Sequence, residues 1–94
     1  MRIVVTGHKG QLGRALCQVL EEDQVLGLDL PEHDLTDAQA TQAAIVDFEP
    51  EVVIHAAALT DVDRCAREPE LALQVNGLGT HNVALACRQC NAAL

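Results

Sequence analysis

The spacing of apolar residues alternates between two periods along the chain. Short runs rich in β-branched residues, which are typical of buried strands, occur at residues 2–6, 24–29 and 51–55. Between and after these runs, apolar residues recur at the three-to-four-residue spacing of an amphipathic helix. The pattern predicts a first helix from about Gly10 to Glu22, a second that ends before Pro50, and a long third that begins near Pro69. The predicted order is therefore βαβαβα.

The buried faces of these helices follow from the same pattern. The first helix is expected to bury Leu12, Ala15, Leu16, Val19 and Leu20, and the last helix Leu71, Val75, Leu78, Asn82, Val83, Ala86 and Cys90. Thr36, followed three residues later by Gln39, predicts a capping box at the second helix. Residues 59–68 are predicted to form a polar loop, and residues 92–94 the opening of a fourth strand. Strands and helices that alternate over short connections predict parallel strands with right-handed crossovers, so the fold class is α/β.

The first strand runs directly into a glycine-rich segment, Gly7-His8-Lys9-Gly10-Gln11-Leu12-Gly13, which opens the first helix. A glycine triplet alone is weak, but its position between a strand and a helix is typical of dinucleotide-binding folds. Gly7 permits the tight turn, Gly10 lets a pyrophosphate approach the backbone, and Gly13 allows the helix to pack closely on the strand. A purely structural glycine-rich turn is the alternative.

The start of this helix favours an anion site. No Ser, Thr, Asp or Asn stands at the expected N-cap, so the amide groups around Gln11 and Leu12 lack a partner. A bound anion would satisfy these donors and gain from the helix dipole. The sequence therefore predicts a site for NAD(H) or NADP(H) on the N-terminal βαβαβα portion of a Rossmann-type doubly wound parallel sheet.

An acidic residue at the end of the second strand extends the predicted site. Asp29 follows the first glycine of the loop at the distance where a carboxylate typically accepts hydrogen bonds from the adenosine ribose. Its charge favours NAD(H), although Lys9 and Arg14 nearby could accommodate NADP(H). The alternative is an aspartate that simply starts a turn.

Two further segments could contact a nucleotide. Asp34 and Leu35 precede the second helix, where a carboxylate and an apolar neighbour could bracket the adenine, although Asp34 could equally be a turn residue. Ala56, Ala57 and Ala58 follow the third strand, where small side chains leave room for a cofactor or allow tight packing of a helix on the sheet.

Composition limits the classes of function. A net charge of −8 argues against nucleic acid or an anionic membrane as partner. No run approaches the roughly 20 apolar residues of a membrane span, and the first residues lack the flanks of a signal peptide, so the protein is expected to be cytoplasmic. The four cysteines lack further ligands at metal-binding spacing, so they are expected to pack as small hydrophobes and no metal site is predicted.

Taken together, four segments resemble the extended short-chain dehydrogenases/reductases. They are VTGHKGQLG, DLTD, HAAALTDVD and EPELALQVNGLGTHNVA, and they cover essentially the whole chain in order. The resemblance is greatest to the dTDP-4-dehydrorhamnose reductase branch. His55 departs from that branch, in which Asn is more common at this position, whereas His is common there in related sugar epimerases.

The resemblance implies a role for individual residues. Gly10, Gln11 and Leu12 would hold the pyrophosphate, and Asp29 would meet the adenosine ribose, with Asp34 and Leu35 at the adenine. Ala57, Ala58 and Thr60 would line the path towards the nicotinamide ribose. Asn76 matches an Asn of the family that ties the last helix to the neighbouring strand.

The resemblance also implies the reaction, hydride transfer from NAD(P)H to the 4-keto group of a dTDP-6-deoxy-sugar. Family members use a Tyr-x-x-x-Lys pair, in which the Tyr donates a proton. This chain has no Tyr and its single Lys is Lys9, so no catalytic residue is predicted within it. A doubly wound domain usually needs about six strands. Residues 1–94 are therefore expected to be an incomplete NAD(P)-binding Rossmann domain that lacks the substrate domain and shows no turnover alone.

Two other functions stay open. The parent protein could be an NAD-dependent nucleotide-sugar epimerase or dehydratase, or a non-catalytic NADP-binding regulatory subunit of the same fold. In the enzymatic readings, a nucleotide-sugar substrate would bind through residues beyond this chain. A homodimer is compatible with the sequence but is not specified by it.

Overall fold

The computed structural model describes residues 1–57 and 67–94. In these ranges the chain forms, in order, β1 (Arg2–Thr6), α1 (Gln11–Val19), β2 (Gln24–Leu28), α2 (Ala38–Phe48), β3 (Val52–His55) and α3 (Pro69–Cys90). The predicted order of elements is confirmed. α1 is shorter than predicted, because Leu20 ends the helix and its carbonyl accepts a hydrogen bond from the Asp23 amide in the turn that leads into β2.

The strands form a parallel sheet in the order β2-β1-β3, with Val4 paired to both Leu26 and Val53. β2 is added on one side of β1 and β3 on the other, so the direction in which successive strands are added reverses at β1. Crevices for ligands form at such a switch point in open parallel sheets. The predicted α/β, Rossmann-type architecture is confirmed.

The sheet continues on the far side of β3. Ala93 pairs in parallel with Val52, its carbonyl accepts from the Val53 amide at 2.8 Å, and its amide donates to the Glu51 carbonyl at 3.0 Å. The sequence predicted a fourth strand at this point, and the bridge lies where that strand would begin.

One face of the sheet packs against α2 and α3. Side chains alternate between faces along a strand, and those on this face join the two helices in a core made of Val4, Leu28, Val53, Ile45, Val83, Ala86 and Cys87. Each large aliphatic side chain buried there contributes roughly 1.5–3 kcal/mol. Cys87 is buried in this core, as predicted for a small hydrophobe, and Cys90 packs against it.

α3 does not bury all of its predicted stripe. Leu78 is 38% exposed, whereas the neighbouring Gly79 is buried, so the predicted burial of Leu78 is wrong. An added side chain at Gly79 would lie 3.4 Å from Leu35 Cβ, so the small residue lets the helix approach this loop closely. The side of the helix that faces the core is therefore rotated away from Leu78.

α1 packs against β1 on the opposite face, where Ile3 and Val5 are buried. Here too the predicted face is partly wrong, because Leu12 is 63% and Val19 is 80% exposed. Gly13 is the buried residue of α1. The close approach at that glycine turns the helix so that Leu12 and Val19 point away from the sheet.

The cap of α2 also differs from the prediction. Asp37, not Thr36, is the N-cap, and its side chain accepts a hydrogen bond from the Ala40 amide at 3.1 Å. The Thr36 hydroxyl instead donates to Asp34 Oδ1 at 2.7 Å. Both residues can cap a helix, and the hydrogen bond to Asp34 removes Thr36 from that role.

Among the helices of the described ranges, none is long and apolar enough to cross a membrane.

Candidate functional site

The carboxyl ends of β1, β2 and β3 meet at one edge of the sheet, where the glycine loop connects β1 to α1. The loop lies against the end of β3, since an added Cβ at Gly7 would come within 2.8 Å of Ala57 N and Cα. Gly7 also has a φ of 68°, a conformation that residues with a Cβ rarely adopt. The fold itself therefore requires glycine at this position.

Gly13 is required by the fold for a different reason. An added Cβ would overlap the Gly7 carbonyl oxygen and lie 2.6 Å from His8 Cα. Both neighbours are backbone atoms of the same loop, so they cannot move aside as a flexible side chain would. The close packing predicted for this glycine is what the structure shows.

Gly10 has no such requirement. Its φ of −76° and ψ of 173° are ordinary for any residue, and an added Cβ would meet only the Gly7 carbonyl oxygen, at 3.4 Å. Packing within the described residues therefore gives no reason for a glycine at this position. A ligand that approaches the loop where a Cβ would stand does give a reason.

The first turn of α1 offers hydrogen-bond donors beside Gly10. Gly10 is the N-cap and gives no side-chain cap. Within residues 1–57 and 67–94, no acceptor contacts the amide groups of Gln11, Leu12 and Gly13. α3 also begins without a side-chain cap, but Pro69 in its first turn removes one donor. The donors of α1, together with the positive end of its dipole, are suited to a phosphate group.

Asp29 lies next to this loop and holds it in place. Its Oδ2 accepts a hydrogen bond from the Lys9 amide at 3.1 Å, and its Oδ1 accepts from the Leu30 amide at 2.8 Å. The carboxylate is thus fixed between the glycine loop and the end of β2. Each of its oxygens can accept a further hydrogen bond, so a ligand hydroxyl can still bind to Asp29.

A cavity of about 130 Å³ opens beside Asp29, between the strand ends and α3. Four of the predicted site residues line it, namely Asp29, Asp34, Leu35 and Ala57. The predicted residues of the glycine loop do not line this cavity, and the Leu12 side chain points to solvent. The structure therefore places the predicted residues in two adjoining parts, a loop with free amides and a cavity, which share Asp29 as their link.

Two hydrogen bonds from the helices position the Asp34–Leu35 segment. Asn82 is buried in α3 and donates from Nδ2 to the Leu35 carbonyl at 2.8 Å, while the Thr41 hydroxyl of α2 donates to the Asp34 carbonyl at 3.5 Å. Hydrogen bonds from the Thr36 hydroxyl and amide lower the pKa of Asp34, so its side chain is a carboxylate. The cavity thus presents a fixed carboxylate and an apolar side chain next to each other.

His55, which also lines the cavity, belongs to a network that joins β1, β3 and α3. Thr6 is fully buried, and its Oγ1 accepts from the Ala57 amide at 3.2 Å. The Thr6 hydroxyl also shares a hydrogen bond with His55 Nδ1 at 2.7 Å, and His55 Nε2 shares one with the Thr80 hydroxyl at 2.9 Å. Burial lowers the pKa of His55 and so favours the neutral imidazole in this network.

Sequence reasoning did not select His33, His55, Val75 or Gly79 as site residues, yet all of them line the cavity. For His55, the sequence offered one signal of a place in the site, namely its position directly before the alanine run at the end of β3. Ala58 and Thr60, which were predicted to line the nicotinamide path, lie outside the described residues. In residues 1–57 and 67–94, no three His, Cys, Asp or Glu side chains are grouped as a metal site would need.

Residues 1–94 match the model of a protein family described as "RmlD substrate binding domain". A dTDP-4-dehydrorhamnose reductase of Streptomyces griseus is 41% identical over 99% of this chain, which covers 31% of that relative. The chain thus spans about a third of the length of the relatives that it matches.

The fold of this chain is similar to that of solved reductase and epimerase structures. A Bacillus anthracis dTDP-4-dehydrorhamnose reductase in complex with NADP has a TM-score of 0.89 and 35% identity, over 97% of this chain and 34% of that chain. A Thermus thermophilus UDP-glucose 4-epimerase in complex with NAD has a TM-score of 0.88 and 31% identity, over 98% of this chain and 35% of that chain.

Proposed function

The protein belongs to the RmlD substrate-binding domain family, and on that premise we propose that residues 1–94 bind the nicotinamide cofactor of a sugar-nucleotide reductase. The observation that carries the proposal is the glycine at position 10, which no contact within the described residues requires and which stands beside the free amides of α1. A diphosphate at this corner accounts for both features. NADP and NAD are bound by the two structural relatives described above, as their names state.

Each predicted site residue has a role in this proposal. The backbone at Gly7, Gly10, Gln11, Leu12 and Gly13 surrounds the diphosphate, and Asp29 accepts a hydrogen bond from the adenosine ribose. Asp34 and Leu35 contact the adenine in the cavity that they line. We assign Ala57, Ala58 and Thr60 to the path towards the nicotinamide ribose.

The proposed reaction of the complete protein is reduction of a dTDP-4-keto-6-deoxy-sugar to dTDP-rhamnose. The cofactor, when bound, supplies the hydride. The residues of this chain bind and orient it, but they contain no Tyr and only one Lys, which is paired with Glu32. We therefore assign no proton donor to residues 1–94, and this stretch alone is expected to show no turnover.

Titration calorimetry of the complete protein tests cofactor binding. Gly10→Asp places a carboxylate against the diphosphate, so the affinity for NADH and NADPH is expected to fall at least tenfold, a change of about 1.4 kcal/mol. Gly10→Asn separates the steric part from the charge. Gln18→Glu, which adds one negative charge on an exposed position of the same helix, is the matched control and should bind normally. Unchanged affinity in Gly10→Asp would refute the loop assignment.

A second candidate is a nucleotide-sugar 4-epimerase. It is favoured by His55 at a position where epimerases often have His, and by the likeness to the Thermus thermophilus UDP-glucose 4-epimerase. Product analysis of the complete protein distinguishes the two enzymes when a dTDP-4-keto-sugar with NADPH and a nucleotide-sugar that carries a 4-hydroxyl group are tested separately. A reductase oxidises NADPH in proportion to the product formed from the 4-keto-sugar, whereas a 4-epimerase inverts the 4-hydroxyl sugar without net oxidation of the cofactor. A non-catalytic regulatory subunit would form neither product.

We propose that the complete protein takes a nucleotide-sugar as substrate and that it acts in the cytoplasm. A homodimer stays a prediction to be tested by the mass of the complete protein in solution.

A further inference from the structure

Three charged side chains lie at the outer rim of the site, where the glycine loop meets the loop between β2 and α2. Lys9 Nζ donates to Glu32 Oε2 at 2.6 Å and to the Leu30 carbonyl at 3.0 Å. The Lys9 amide donates to Asp29 Oδ2 at 3.1 Å. The ammonium of Lys9 is thus held by the β2–α2 loop, and its backbone is held by the carboxylate assigned to the adenosine ribose.

We propose that the Lys9–Glu32 ion pair selects against a 2′-phosphate on the adenosine ribose, so that the protein binds NAD(H) more tightly than NADP(H). The inference rests on the proposed cofactor site and adds the basis of its selectivity. A 2′-phosphate next to Asp29 would need a cation, and the cation attached to this part of the loop is already paired with Glu32. With Asp29 and Glu32 against Lys9, the rim carries one net negative charge before any ligand binds.

The other charges near the cavity do not change this balance in favour of a phosphate. Asp34 adds a second carboxylate to the cavity wall. Arg14, the other cation close to the loop, shares no ion pair or hydrogen bond with Asp29 or Glu32 within the described ranges. His33 lines the cavity and is close enough to Glu32 to act on its charge. The hydrogen bond from Lys9 lowers the pKa of Glu32, so Glu32 stays ionised at neutral pH.

The size of the effect follows from the exposure of the pair. Lys9 and Glu32 have exposed side chains, at 41% and 60%, and exposed ion pairs are weak. Removal of Glu32 should therefore shift the selectivity by a factor of about five. The shift arises because the released ammonium can turn to the 2′-phosphate, where a charge-assisted hydrogen bond is available.

The experiment is a double-mutant cycle on the complete protein, with Glu32→Gln, Lys9→Met and both together. Titration calorimetry gives the Kd for NADH and NADPH, and adenosine 2′,5′-bisphosphate against AMP isolates the 2′-phosphate without the nicotinamide. Glu22→Gln is the matched control. It removes one carboxylate from an exposed position in the turn before β2, at the opposite end of a strand about 16 Å long and beyond the Debye length of about 8 Å.

The expected result has three parts. The unchanged protein binds NADH more tightly than NADPH, Glu32→Gln raises the relative affinity for NADPH about fivefold, and Lys9→Met abolishes the effect of Glu32→Gln in the double variant. Glu22→Gln leaves the ratio unchanged. A preference for NADPH in the unchanged protein, or a ratio that Glu32→Gln does not move, would overturn the inference while cofactor binding itself stands. If neither nucleotide binds, the proposed function fails and the inference fails with it.

Discussion

Replacement of Gly13 by alanine tests whether backbone packing, and not a bound ligand, requires glycine at this position. The new Cβ would overlap the Gly7 carbonyl oxygen and stand 2.6 Å from His8 Cα. The loop cannot shift easily, because Gly7 itself lies against the backbone of Ala57 at the end of β3. The strain is therefore expected to loosen the contact between α1 and β1 rather than to move a single side chain.

The magnitude follows from two opposing terms. Alanine in place of glycine stabilises a helix by about 1 kcal/mol, and overpacking a tight contact costs typically 1–3 kcal/mol. Gly77→Ala in α3 measures the first term alone, because no atom lies within 4 Å of the Cβ it would add. Since the atoms that Gly13→Ala meets are backbone, we expect it to be less stable than Gly77→Ala by about 3 kcal/mol.

Hydrogen exchange of the α1 and β1 amides in the complete protein is a suitable assay, because it reports local opening. Against the unchanged protein, the gain of about 1 kcal/mol from alanine offsets part of this cost, and the net loss of about 2 kcal/mol corresponds to a roughly 30-fold loss of protection. Gly10→Ala is the informative partner variant, because its Cβ has room at 3.4 Å. It should keep the protection of α1 within about 0.5 kcal/mol and lose nucleotide affinity. Normal protection in Gly13→Ala, or weak protection in Gly10→Ala, would contradict this division of roles.

Three further predictions concern stability, measured by urea unfolding of the complete protein. Arg2→Met removes the hydrogen bonds from the guanidinium to the Phe48 carbonyl at the end of α2 and should cost about 1.5–3 kcal/mol; a cost below 0.5 kcal/mol would show that the contact is not stabilising. Asp37→Ala should cost about 1 kcal/mol and Thr36→Ala clearly less, whereas the reverse order would restore Thr36 as the cap. Burial lowers the pKa of His55 below its ordinary value of 6.5, so the unfolded state takes up the proton first and stability should fall as the pH drops below about 6.5. His55→Asn should flatten this dependence below about pH 6.5, and an unchanged slope would assign it to another group.

The elements of the fold could be predicted because each depends on a local pattern. The β-branched run at residues 2–6 coincides with β1, and proline at position 50 follows the end of α2 within two residues. The orientation of the helices could not be predicted in the same way. Helical periodicity defines a stripe, but the buried glycines at positions 13 and 79 determine which side of that stripe approaches its neighbours.

In the candidate site, too, some features could be predicted from the sequence and others could not. Asp29, Asp34, Leu35 and Ala57 could be brought together from the sequence, because the carboxyl ends of parallel strands meet at one edge. The hydrogen bonds between loops could not. Lys9 and Glu32 are 23 residues apart and obey no periodicity, and their pairing depends on how the β2–α2 loop folds back towards the glycine loop.

The position of β1 in the middle of the sheet has a consequence for how the chain is assembled on the ribosome. This strand precedes both of its neighbours in the chain, since Arg2 pairs with Gln24 and Ile3 with Val52. Its backbone groups on the β3 side must therefore wait until some 50 more residues have been synthesised. Closing that long loop carries an entropic cost before the pairing is gained. During translation the strand that is most buried in the folded protein therefore stays exposed longest, and chaperones that bind apolar segments can protect it.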